Sequence, residues 1–497
     1  MGAAYGLGRI PVDKGGEGRW RRRACVFHQV PSHTVMKPLL QNSGARFHLV
    51  AAVLASCLGF VSTGCSGDVP DLGGGDVADP ADIAQLRMIL GGQGVVALTA
   101  PPARSAALIE LGRALFFDKE LSGNRDVSCA TCHLPGAGAA DGRNLPAGVG
   151  GAGLQVARTG GFMVPRHSPT ALNAHMLDRL FWDSRVERLG GGGLRTPAGA
   201  DLTAGMIAVF PAGLEVLAAQ SMFPPTSRGE MRGEVGQNEL GDIADGQVTL
   251  IWDAIVARLV SFPAYVSLFS NAYPGTLTGD LNMAHVGGAI AAFEESAFFR
   301  VDSPFQAFLE GDDGALTGSA VRGALDFYSP ASRCSVCHSG STFTDETHHN
   351  IGMPQFGPGK GDGLGSDDDF GREQVTAVMG DRYKFRTPTL LNVELTAPYG
   401  HLGQFGTLRS MLVHYRNVTQ SLQGYQIADH VTDSALLGTQ VGNEVDVLAT
   451  LSPLVNGPLN FNVDDMLAFM EALTADGARD MSGVAPATVP SGSTIDQ

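Results

Sequence analysis

The chain has no basic excess: 34 Lys and Arg stand against 50 Asp and Glu in 497 residues, a formal charge of -16. That leaves no electrostatic footprint for nucleic acid and favours a basic protein partner. Cysteine is scarce, with seven in all. Three of them, Cys25, Cys57 and Cys65, lie near the N-terminus, so no disulfide framework is implied. A transmembrane helix needs roughly 18 apolar residues, and the run from Leu49 to Val61 is shorter. No convincing apolar-polar alternation marks a strand, which predicts a mostly α fold with long loops and at most small hairpins. The 66 Gly and 27 Pro agree with long irregular segments between helices. One absence is local: from Leu134 to Arg166 there is no histidine, and Met163 is the only methionine.

The remaining four cysteines fall into two copies of one pattern, Ser128-Cys129-Ala130-Thr131-Cys132-His133 and Arg333-Cys334-Ser335-Val336-Cys337-His338. C-x-x-C-H is the attachment signature of a c-type haem. Two thiols within one helical turn can bond the porphyrin vinyls, and the adjacent imidazole can bind iron. A zinc-binding or disulfide C-x-x-C beside a chance histidine is the competing reading of a single copy, and His in the same slot twice argues against it. Two haems on one polypeptide indicate a redox protein.

His133 and His338 each supply one axial bond, so function turns on the opposite faces. An iron bound by protein on both sides transfers electrons, whereas an open face can bind peroxide. The histidine-free stretch after His133 favours an open or water-bound first iron, unless His167 or His175 folds back. Peroxide cleavage there also requires an acid/base group, which composition alone does not choose. For the second iron, Met411, His414 and Tyr415 are candidates on one helical face, and only one can ligate. Methionine would favour ferrous iron; a phenolate would stabilise ferric iron and higher oxidation states.

Residues 36–64 have a signal-peptide layout: Lys37 and Arg46, the apolar run to Val61, then Ser62-Thr63-Gly64-Cys65. The end resembles a bacterial lipoprotein cleavage site with Cys65 as the lipidated residue, an ordinary secretory cleavage being the alternative. Either reading places the mature chain in the periplasm. Residues 1–35, basic from Arg19 to Arg23, are read as an upstream mis-start or a disordered extension. Residues 65–104 form a tether with a helix around Ile83 to Leu90. Leu108, Leu111, Leu115 and Phe116 have helical spacing ahead of Cys129, and LTGSAVRGALDFYSPASR leads likewise into Cys334. The same order twice predicts two related haem domains, 105–305 and 306–497. Further helices are expected over 250–262, stopping at Pro263, and over 281–298, 408–415 and 463–473. Residues 350–372 read as loop, with Asp367-Asp368-Asp369 a solvated acidic run.

Several blocks in order resemble the bacterial di-haem cytochrome c peroxidase and MauG superfamily. They are LGRALFFDKELSGNRDVSCATCH, PRHSPTALNA, LFWDSR, AFLEGDDGAL, CSVCHSG, DRYKFRTPTLLNVELTAPYGHLG and TLRSML, and together they span Leu111 to Leu473. The resemblance implies a peroxide site at the N-terminal haem and an electron-transfer haem held by His338. It implies Trp182 between the haems, Glu230 as acid/base, Gln220 positioning peroxide and Pro224 limiting the pocket. The carbonyls of Thr396 and Pro398 match a calcium site whose third contributor, an Asn in the family, is His167 here.

Two departures bear on function: the N-terminal haem has no distal histidine, and ungapped alignment puts Tyr415 where classical peroxidases carry methionine, as in MauG. The region between Arg185 and Gln220, with Gly190 to Gly193, is longer than in simple peroxidases. The reading is a di-haem peroxidase that reduces hydrogen peroxide with electrons from a small protein donor. The alternatives are a MauG-like oxidase of side chains on a partner protein and a non-catalytic electron-transfer protein. Family members are often homodimers.

Overall fold

The computed structural model describes residues 76–497. The signal segment, Cys65 and the other N-terminal cysteines lie outside the described residues. The fold is mostly helical, with three small antiparallel sheets and a few isolated β-bridges among the described residues. No single described helix is long and apolar enough to cross a membrane.

Two helix crossings organise the two lobes. In the first, Ala106–Phe117 packs on Met283–Phe298; in the second, Gly318–Phe327 packs on Val463–Ala472. Glycine permits each close approach. A Cβ on Gly112 would collide with the Ala289 carbonyl and lie 2.8 Å from Phe293 Cβ, and one on Gly323 would meet the Asp465 carbonyl and lie 2.9 Å from Phe469 Cβ. Phe116 and Phe327 come four residues after these glycines and stand beside Phe293 and Phe469, with ring centroids 5.2 and 5.3 Å apart. The repeat expected from the order of elements is thus a repeat of packing.

Local chemistry sets the helix ends. Thr317 accepts a hydrogen bond from the Ala320 amide at 3.1 Å, and Asn282 accepts one from Ala284 at 3.0 Å, caps that stabilise a helix by about 1 kcal/mol each. The expected 250–262 helix spans Val248–Val260, and Pro263 does more than stop it. With no amide hydrogen to lose at a first helical position, Pro263 opens another helix, Pro263–Ala272.

Core membership crosses the lobes at both ends of the described chain. Leu86 and Leu90 of the Pro80–Gln93 helix belong to the second core, with Phe305, Phe327 and Phe469. Ala478, Met481 and Val489 belong to the first, with Phe116 and Phe293. The glycine run at 190–193 turns a hairpin between Val186–Arg188 and Leu194–Arg195, with Gly191 and Gly192 at φ of 94° and 92°.

Candidate haem sites and the bridge between them

Each C-x-x-C-H motif sits on a single helical turn, Cys129–Cys132 or Cys334–Cys337, that aims its thiols and histidine into a cavity. The first holds about 1290 Å³ of empty space and the second about 1630 Å³, mouths included. Both are lined mainly by apolar side chains around the motif's cysteines and histidine, a lining suited to a macrocycle. All four thiols are free. Burial pushes Cys129 up to about 12 and Cys334 up to about 11, keeping both protonated. His133 Nδ1 lies 3.3 Å from the Ala139 carbonyl, and His338 Nδ1 lies 3.0 Å from that of Phe343. Donation from Nδ1 leaves Nε2 as the free lone pair, and burial lowers both imidazole pKa values, favouring the neutral form a metal binds. Paired free thiols, an oriented imidazole and an apolar-lined cavity fit a covalently held haem in each lobe.

The first cavity also gathers Gln220, Pro224 and Glu230, all read from the sequence. Gln220 is on the Glu215–Ser221 helix, and Pro224 opens the next turn. Glu230 is half-buried on a short π-helical turn, Arg228–Arg232, pinned on both flanks. Val149 donates to the Gly229 carbonyl at 3.1 Å, and Gly123 donates to that of Met231 at 2.7 Å. Besides His133, His167 is the one histidine on this wall. Its Nδ1 is spent on the Arg143 carbonyl at 2.8 Å. His175 is not among the lining residues, and its ring packs on Phe299.

In the second cavity the three candidates separate. Met411 and Tyr415 line the wall, and the Tyr415 hydroxyl has no hydrogen-bond partner among the described residues. Burial and the nearby Cys337 and Cys334 hold its phenol well above the usual range. His414 turns away: Nε2 meets the Ile351 carbonyl at 2.8 Å and Nδ1 meets Ser421 Oγ at 2.9 Å. The shared face expected for all three therefore belongs to Met411 and Tyr415, one turn apart. Met353, Met466 and Met470 line the same cavity. Met466 and Met470 went unnoticed in the sequence because methionine on an apolar helix reads as core, and Met353 because it lies in the stretch read as loop.

Trp182 lines both cavities. Its Nε1 donates to the His167 carbonyl at 2.8 Å, and its own carbonyl accepts from the Arg386 amide at 2.8 Å. His401 lies edge-on to the indole at 6.5 Å and stacks on Phe385 at 3.6 Å. Thr396, Pro398 and His167, the calcium-matching set, are on the second cavity wall.

Around this bridge the solvated acidic run is corrected. Asp368 and Asp369 are buried; Asp368 accepts from Tyr383 Oη at 2.7 Å, and Asp369 takes Arg166 in a two-pronged pair at 2.6 and 2.8 Å. Arg166 also reaches Asp183 at 2.5 Å. Its position 203 residues upstream of Asp369 hid the pairing. Among the described residues, Cys337, Asp345 and His349 alone form a group of metal-capable side chains within 4.8 Å. Cys337 there belongs to the haem motif.

Fold and site together define a two-lobed, c-type redox protein. The family model for di-haem cytochrome c peroxidase matches residues 106–314. MauG, the methylamine utilization protein of Methylorubrum extorquens, is 30% identical over 307 residues, covering 62% of this chain and 68% of that one. Cytochrome c551 peroxidase of Pseudomonas aeruginosa is 32% identical over 302 residues, covering 60% and 69%. The chain belongs to the di-haem cytochrome c peroxidase and MauG family, oxidoreductases acting on peroxide, and membership implies two c-type haems. Solved structures share the fold. A MauG-like protein associated with microbial copper homeostasis superposes with TM-score 0.51 at 24% identity, covering 84% of this chain and 97% of that one. The diheme peroxidase BthA of Burkholderia thailandensis gives 0.52 at 18%, covering 81% and 95%.

Proposed function

We propose that this chain reduces hydrogen peroxide to two waters, consuming two electrons from a small protein donor and two protons. The observation that carries the reading is the gathering of Glu230, Gln220 and Pro224 on the cavity served by Cys129, Cys132 and His133. A bound haem supplies the iron that passes electrons to peroxide. Glu230 takes the proton from one peroxide oxygen and delivers it to the other, so that water is the leaving group. The Gln220 amide orients the substrate, and Pro224 narrows the space above the iron. His133 would hold the iron through Nε2. An open opposite face requires that Nε2 of His167, left free by the Nδ1 contact with the Arg143 carbonyl, does not bind the iron. Trp182 joins the two cavities, so oxidising equivalents reach the lobe of His338. Thr396, Pro398 and His167 would hold a calcium ion through carbonyl oxygens beside this bridge, a hard-donor set suited to that ion. Metal analysis of the purified holoenzyme tests that part.

Tyr415 favours a second reading, a MauG-like oxidase of side chains on a partner protein. An anionic phenolate on the second iron would stabilise the oxidised states such chemistry draws on. Export to the periplasm, with Cys65 as a lipid anchor, completes the proposal, since covalent haem attachment takes place outside the cytoplasm.

Rapid mixing of the reduced holoprotein with hydrogen peroxide and a small reduced cytochrome tests the main reading. Oxidation of two cytochromes per peroxide is expected. Peroxide consumption that ignores the cytochrome but oxidises a partner's side chain would establish the second reading instead. Two low-spin ferric signals in electron paramagnetic resonance, with no response to peroxide, would leave only a non-catalytic electron carrier.

A further inference from the structure

Glu294 is a carboxyl without a partner. It lies on the Met283–Phe298 helix, is 8% exposed, and lines the first cavity. No hydrogen bond or ion pair to it exists among the described residues. Its neighbour Glu295 has the opposite fate, paired with Arg104 at 2.5 Å. A buried carboxylate with nothing to compensate it is costly, and such a group stays protonated instead.

The internal repeat shows that the position is special. Gly112 meets Ala289 and Phe293 in the first crossing, and Gly323 meets Asp465 and Phe469 in the second. The residue after Phe293 is Glu294, and the residue after Phe469 is Met470, which lines the second cavity. One backbone position thus gives a haem-facing acid in the lobe with the peroxide residues and a thioether in the other. Packing alone does not require the acid, because the second lobe builds the same crossing without it.

We infer that Glu294 is the redox-linked proton holder of the first haem site. When that haem loses an electron to the oxidant, the Glu294 O–H bond breaks and its proton leaves through cavity water to bulk solvent; when the donor returns the electron, a proton from solvent restores the acid. Charge inside the buried cavity stays nearly constant, which removes much of the electrostatic cost of oxidation there. The inference rests on the reading of the first lobe as a redox haem site.

Burial pushes Glu294 up to about 8, close to the working range of a neutral-pH proton donor. The charged and titratable groups around it have other commitments. On its own helix, His285 takes part in the cap with Asn282. The packed Glu215–Ser221 helix brings Glu215, held by Arg188 at 3.0 Å. From the Val248–Val260 helix, Arg258 is bound to Glu239, and Asp253 is exposed. On the Ala106–Phe117 helix, Arg113 donates to the carbonyls of Val484 and Ala485, and Glu110 is exposed. His175 packs on Phe299, and Cys129 is reserved for the haem. Across the cavity stand Glu230, Lys360, Arg166, Arg185 and Arg386.

The test is a spectroelectrochemical titration of the first haem of the holoenzyme against pH, in wild type, Glu294→Gln and Glu294→Met. Oxidation favours the carboxylate, so the wild-type potential should fall as pH rises between the pKa values of the oxidised and reduced forms. The limit is about 59 mV per tenfold change in proton activity for one electron. Both variants should lose that slope. Glu294→Met installs what the second lobe carries at this position and so preserves the packing. Variants that keep the wild-type slope overturn the inference. Infrared redox-difference spectra of the wild type provide an independent reading: a protonated-carboxyl band should vanish on oxidation and be absent from Glu294→Gln, and a wild type without such a band overturns the inference as well. A wild type whose first haem ignores peroxide refutes the peroxidase reading itself, whatever the slope.

Discussion

At the scale of single residues, the first cavity depends on where one carboxylate is held. Glu230 is fixed through the carbonyls of its two chain neighbours, Gly229 and Met231, so its placement survives a change in its own head group. Glu230→Gln keeps the shape and removes the proton acceptor. Peroxide turnover should fall by about 10²- to 10⁴-fold, the usual worth of a positioned general base, with haem content unchanged. Single-turnover rates check this, and a rate within a few-fold of wild type would exclude Glu230 from proton transfer. In the second cavity, Tyr415 and Met411 line one wall and are the sequence's remaining ligand candidates. Burial favours the neutral phenol, so only the charge of the metal could make Tyr415 an anionic ligand. Tyr415→Phe should therefore alter the optical and paramagnetic spectra of the oxidised second haem and abolish any long-lived, doubly oxidised state after peroxide. Unchanged spectra would exclude Tyr415 as the ligand and leave the methionines of that cavity, Met353, Met411, Met466 and Met470.

Among the elements, the paired crossings are the most demanding feature, because two backbones meet with no room for a side chain. Gly112→Val should destabilise the first lobe by at least about 1–3 kcal/mol, the cost of overpacking a filled core. Thermal unfolding measures it, and a melting temperature equal to wild type would mean the crossing yields. Much at this scale was legible in the chain. Helical spacing of Leu111, Leu115 and Phe116 marked the first crossing helix, and the C-x-x-C-H spacing marked both haem turns because covalent attachment depends on local geometry. What could not be read depends on distant partners. Asp369 looked solvated because Arg166 is remote in sequence, and His414 looked available because Ile351 and Ser421 could not be seen behind it. Pro263 looked like a stop because a proline ends one helix and opens another with the same fixed φ, and only the packing of Tyr265 and Phe269 into the first core distinguishes the two roles. Glu294 did leave a trace, a charge four residues after Ile290 on an apolar stripe, but the adjacent Glu295 carries the same charge and only packing separates the two.

For the molecule as a whole, the two haem lobes are joined by more than Trp182. Arg166, from the first lobe, is buried between Asp183 of its own lobe and Asp369 of the other. Burial alone would raise both carboxyls, yet Arg166 beside them holds each below the ordinary carboxylate range. A folded-state pKa below the unfolded value of about 3.9 means that stabilisation is complete above that value and is lost as pH falls towards the folded-state pKa. Arg166→Met fills the space, strands Asp369 and leaves Asp183 with Arg185 alone at 3.2 Å, and breaking a buried pair from one side costs about 3–5 kcal/mol. The variant should melt earlier than wild type at pH 7. The gap should narrow under acid, because the acid left without a cation takes up a proton while the wild type loses its ion pairs. Melting curves between pH 7 and pH 3 measure both effects. Curves that stay parallel throughout would mean the clasp does not hold the lobes.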